Sequence, residues 1–106
     1  MDGGPIDIEK IISGEKTETN VMVRNIPCKY QYFEIKSVFD KNHGGHFNEL
    51  KLPTDNNVKI NPKPNKGYCF INFRHVLYLY SFYLDMKGQY WSKYSSDKTI
   101  DINYAA

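Results

Sequence analysis

The run Lys66-Gly67-Tyr68-Cys69-Phe70-Ile71-Asn72-Phe73 constrains this chain more than any other. Side chains alternate across a β-strand, so Cys69, Ile71 and Phe73 share one face while Tyr68, Phe70 and Asn72 share the other. The first set is uniformly apolar and needs a covering layer. The second sets two aromatic rings side by side. Such a strand is stable only inside a sheet that packs on another layer through one face. Burial of Tyr68 and Phe70 as well would demand a second covering layer, which the remaining elements do not obviously supply.

Those elements are legible in turn. Val21-Met22-Val23-Arg24-Asn25-Ile26 is a β-rich run closed by Pro27, which cannot donate to a ladder. Over 31–41, Tyr32, Ile35, Val38 and Phe39 recur at helical spacing, and Gly44-Gly45 ends the helix. Residues 47–52 read as the next strand, before a polar, lysine-bearing loop that extends to Asn65. The aromatic strand follows, then a second helix over 76–87 ended by Gly88. A last strand over 99–104 alternates Ile100, Ile102 and Tyr104. The order βαββαβ predicts an α+β, ferredoxin-like sandwich: a four-stranded antiparallel sheet with two helices on one face and the other face open.

Alternation along each strand then fills the open face. Met22 and Arg24, Glu49 and Lys51, and Asp101 and Asn103 join Tyr68, Phe70 and Asn72 there. Flat rings stack on unpaired bases, Lys66 at the strand entrance suits a phosphate, and Asn72 and Asn103 suit base edges. The expected ligand is single-stranded RNA, with Arg24, Lys51 and Lys29 as further cationic contacts. Asn25, at the strand exit, is expected to satisfy local backbone instead.

Residues 66–73 resemble the RNP1 pattern of RNA-recognition motifs, basic-Gly-aromatic-small-aromatic-aliphatic-x-aromatic, at every position. Residues 21–26 take the place of the partner motif RNP2, whose second position is usually aromatic and here is Met22. A methionine packs softly against a base but offers less than a ring. Across nearly the whole chain the sequence is similar to one branch, the Mei-two-like RNA-binding proteins. Ile11-Ile12-x-Gly14, Val21 to Pro27 with Lys29-Tyr30, Leu52-Pro53-x-Asp55, Ser81-Phe82-Tyr83, Gly88-x-x-Trp91 and Tyr104-Ala105 carry that likeness, and Met22 is normal for the branch. The resemblance implies an RNA-recognition fold and RNA binding in post-transcriptional control linked to meiosis or development. The loop after Pro53 is longer than is usual in that branch, with Lys59, Lys63 and Lys66 where RNA could thread.

Charge agrees without deciding. The chain of 106 residues carries a net +2. Residues 1–18 hold five acids against two lysines, which leaves 12 basic against seven acidic residues in 19–106. A basic body favours a polyanionic partner. We expect 1–18 to be a flank that packs on or precedes the domain at 19–106, and the domain to be excised from a longer protein. No apolar run approaches the roughly 18 residues of a membrane helix, so no membrane association is expected, and the compartment is intracellular, nucleus or cytoplasm. Cys28 and Cys69 form no CxxC pair and are expected to be free thiols. His43, His46 and His75 lack metal-ligand spacing, and no catalytic motif appears, so neither a metal, a cofactor nor an enzyme activity is expected.

The second helix leaves one alternative open. Leu79, Phe82, Tyr83 and Met86 form the stripe that suits the sheet, while Leu77, Tyr80 and Leu84 form a second apolar line. Ile8, Ile11 and Ile12 of the leader are candidates to cover it. Otherwise that line, or a masked sheet face, would take a protein partner in an interaction module with weak or no RNA binding.

Overall fold

In the computed structural model, which describes residues 2–106, the elements are β1 (Asp2–Pro5), α1 (Ile8–Ile12), β2 (Asn20–Arg24), α2 (Tyr32–His43), β3 (Phe47–Lys51), β4 (Tyr68–Phe73), α3 (Val76–Met86) and β5 (Asp101–Ala105). The strands form one antiparallel sheet in the order β1-β5-β2-β4-β3. β4 alternates half-buried and buried residues without a break, as its sequence requires. Val21, Val23, Cys69, Ile71, Phe73 and Ile102 point from the sheet into the core. There they meet Ile35 and Phe39 of α2 and Leu79 and Phe82 of α3. Phe82 ties the layers together, its ring centroid lying 5.1 Å from that of Phe39 and 5.0 Å from that of Phe73.

The sheet has five strands where four were expected, because the leader supplies an edge. β1 reads Asp-Gly-Gly-Pro, a poor strand by propensity, and it exists because tertiary context overrides propensity. A Cβ on Gly3 would lie 2.6 Å from the Ala105 carbonyl oxygen, so only glycine lets the two backbones approach this closely. Pro5 tolerates the position because an edge strand need not donate outward. Beyond it, Ile6 and Ile11 enter the core, Ile8 packs against it, and α1 lies against α3. Ile12 stays exposed. The leader therefore reaches α3, yet Leu77 and Leu84 remain 60% and 52% exposed.

Helix α2 begins at a capping box, in which the Glu34 carboxylate accepts the Gln31 backbone N–H at 2.9 Å. Tyr32, expected on the buried stripe, is exposed just inside that first turn. His75 caps α3 by accepting the Leu77 N–H at 3.0 Å. His43 pairs with Asp85 at 2.7 Å, and His46 stacks on Tyr78 with ring centroids 4.1 Å apart. Between α3 and β5 the chain folds back as a small hairpin, bridged at Tyr90 and Thr99. It seats Trp91 in the core against Tyr30 and Phe39.

A candidate nucleic-acid interface

The register of β4 builds the surface opposite the helices. Tyr68 lies beside Arg24, Phe70 beside Met22 on one flank and Lys51 on the other, and Asn72 beside Asn20 and Glu49. Met22 in turn neighbours Asn103, and Arg24 neighbours Asp101. Tyr68 and Phe70 are both half-exposed, with ring centroids 5.6 Å apart and planes at 73°, an edge-to-face pair. The alternation read from the sequence thus brings the expected residues of the four main strands to one face.

Their availability differs. Met22 is only 4% exposed, so it backs Phe70 more than it forms a surface of its own. Asn103 is also buried, between Met22 on one side and Pro5 of the added edge strand on the other. Arg24 donates Nε and Nη2 to Asp101 Oδ2 at 3.0 and 2.6 Å, while Lys87 Nζ reaches Oδ1 at 2.7 Å. Those two cations, Lys87 foremost, hold the Asp101 carboxyl below its ordinary pKa. One carboxylate shared by two cations leaves this corner positive. Lys51 pairs with Glu49 at 2.8 Å on the exposed edge, and Glu49 raises its pKa. Asn72 donates to Asn20 Oδ1 at 2.7 Å and Thr19 Oγ1 at 3.3 Å, and accepts from Asn48 at 2.9 Å. Its donors are committed, and the carbonyl oxygen keeps one lone pair for a base.

Lys66 and Lys29 are exposed, and neither makes an ion pair among the described residues. Lys66 lines a groove beside Tyr68 together with Lys98, Gly67, Asn57 and Cys28. Lys29 lines the adjoining groove, which shares Cys28. Sequence reasoning missed Lys98, which the hairpin before β5 carries there. It also missed Asn65, a buried amide that ties the long loop to the β2–α2 connection. Asn65 donates to the Pro27 and Tyr30 carbonyls at 3.0 and 2.9 Å and accepts the Gly67 N–H at 2.7 Å. An Asn two residues before a glycine was the available signal. Asn25, at φ 67, donates to the Thr99 carbonyl at 2.9 Å, the backbone role expected of it. Around Asn72 acids outnumber cations, with Glu18, Glu49 and Lys51 lining the groove that runs past Phe70.

An antiparallel sheet with helices on one face and paired aromatics on the other defines an RNA-recognition-type domain. The family model "RNA recognition motif 2" matches residues 18–106, so the chain belongs to that family. Among curated relatives it is 38% identical over 100 residues to protein MEI2-like 5 of Oryza sativa subsp. japonica, covering 94% of this chain and 12% of that protein. To MEI2-like 2 of Arabidopsis thaliana it is 36% identical over 107 residues, covering 99% of this chain and again 12% of the relative. The chain therefore spans about an eighth of the length of these relatives. Among solved structures it is similar in fold to the Rna15 RRM with bound RNA (GU), with a TM-score of 0.64 at 21% identity over 82% of each chain. The Sex-lethal protein/RNA complex matches with a TM-score of 0.65 at 19% identity over 84% of this chain and 47% of that one.

Proposed function

We propose that this chain binds single-stranded RNA on the open face of its sheet. The observation that carries the reading is the half-exposed Tyr68 and Phe70 pair on β4, an inner strand of that face. Each ring takes one unpaired base, and stacking of this kind is worth about 1–3 kcal/mol per base. Met22 flanks Phe70 from the neighbouring strand. Lys66 meets a phosphate at the strand entrance, and Lys29 meets one in the adjoining groove. Arg24 adds charge from its shared carboxylate, and Lys51 exchanges Glu49 for a phosphate at the edge. Asn72 offers its remaining lone pair to a base, and Asn103 lines the floor between Met22 and Pro5.

Membership in the RNA recognition motif 2 family and the likeness to MEI2-like proteins support RNA binding in post-transcriptional regulation of meiosis or development. Binding, with no catalysis, is the activity this face supports. A protein partner on α3 is a second reading, favoured by the exposure of Leu77 and Leu84 and flanked by half-buried Tyr80. A Leu77→Glu, Leu84→Glu double variant separates the two. The RNA reading expects wild-type affinity in a fluorescence-anisotropy titration, and a loss of RNA binding would show that α3 belongs to the interface.

A further inference from the structure

The long loop and the hairpin before β5 enclose a groove away from the sheet, walled by Ile60, Pro62, Pro64 and Tyr94 and rimmed by Cys28 and Lys29. Two of its walls are unusual. Ile60 is an aliphatic side chain 62% exposed, and Tyr94 is a ring 46% exposed on a backbone at φ 66. A non-glycine residue in the left-handed region costs free energy, and it persists where the surroundings impose it. Here they do so in three ways. The Tyr94 hydroxyl donates to the buried Glu34 carboxylate at 2.7 Å, and Glu34 also accepts Lys93 Nζ at 2.9 Å. The Tyr94 ring meets Tyr30 edge-on at 5.3 Å and 87°. The hydroxyl bond and the edge contact fix where the ring sits as one wall of a largely apolar groove.

We propose that this groove is a third nucleotide subsite, in which a base stacks on Tyr94 against Ile60 while Lys29 takes the adjoining phosphate. The inference rests on the RNA-binding reading of the sheet. Three observations favour RNA as the occupant. Cys28 lines both this groove and the one beside Tyr68, so a strand leaving Tyr68 passes from one to the other. That passage carries Lys66 and Lys98 against one acid, Asp55, and no acid among the described residues lines the Tyr94 groove itself. The groove also offers an aromatic ring where the sheet, with Met22 at its first stacking position, has only two. Base–aromatic stacking needs no particular base, since every base has a π-face.

The test is a length series with labelled random-sequence RNAs of about four and ten nucleotides, the shorter sized for the sheet alone. The full chain is compared with Ile60→Glu, Tyr94→Ala and Tyr94→Phe variants. Wild type should bind the longer RNA more tightly. Ile60→Glu and Tyr94→Ala should lose about fivefold or more on the longer RNA and nothing on the shorter, while Tyr94→Phe, which keeps the ring but not its hydroxyl bond to Glu34, should lose less than Tyr94→Ala. Ile60 is exposed in a loop, so its variant remains folded and keeps the test informative if Tyr94→Ala does not. Equal affinity of Ile60→Glu and wild type for the longer RNA overturns the subsite and leaves the sheet reading standing. Wild type that binds neither RNA overturns both. A decaproline peptide that shifts the Tyr94 and Ile60 NMR signals, where the longer RNA shifts neither, gives the groove to a protein partner.

Discussion

At the scale of single residues, position and availability separate. Tyr68 and Phe70 follow from alternation alone, and a reader of residues 66–73 can place both. The state of Arg24 cannot be read that way, because its partner Asp101 lies 77 residues away. The same holds for Tyr94, whose orientation depends on a buried acid in another element. Glu34 illustrates the energetics. It is buried and accepts three donors, the Gln31 N–H first, then Tyr94 and Lys93, which together hold its carboxyl below the ordinary value. A depressed folded-state pKa contributes stability that is present above the unfolded value and lost as pH falls through the folded one. Wild type should therefore lose stability below about pH 4.3, the ordinary glutamate range, in a pH series of thermal melts. Glu34→Ala should flatten that loss and cost about 1–3 kcal/mol at neutral pH, since it strands donors that have lost their acceptor. An unchanged pH profile in the variant would remove Glu34 from the account.

At the scale of elements, the strands with strong period-two patterns and the helices with apolar stripes were legible to within a few residues. β1 was not, since two glycines and a proline carry no strand signal and the pairing is decided by β5. The hairpin before β5 was also opaque, because it is shaped by Trp91 packing and two consecutive left-handed residues, Tyr94 and Ser95. The leader gives the sharper test. Ile6 and Ile11 are buried, and each aliphatic side chain so placed is worth about 1.5–3 kcal/mol. Deletion of residues 1–18 should lower the melting temperature by several degrees. Gly3→Ala alone should weaken the β1–β5 pairing, visible as faster amide exchange in β5 with β2 and β4 unaffected. A truncated chain with the wild-type melting temperature would contradict the packing of the leader.

For the whole molecule, the sheet face is electrically divided. Arg24, Lys87, Lys66 and Lys98 outnumber Asp101 and Asp55 at the Tyr68 end, while Glu18 and Glu49 outnumber Lys51 around Asn72. An RNA backbone should make most of its contacts at the first end, with Lys51 the contact at the other, and its affinity should fall with salt by a log–log slope of about 0.7 per phosphate met. Lys66→Ala with Lys98→Ala should reduce that slope by about 1.4, and Lys51→Ala, which removes one phosphate contact at the edge, by about 0.7. The direct test of the central claim is the affinity of Tyr68→Ala, Phe70→Ala for single-stranded RNA at fixed salt, beside a melt that shows the variant folded. The stacking account predicts a loss of about 2–6 kcal/mol, roughly 30-fold at the least. Equal affinity of a folded double variant and wild type would contradict it.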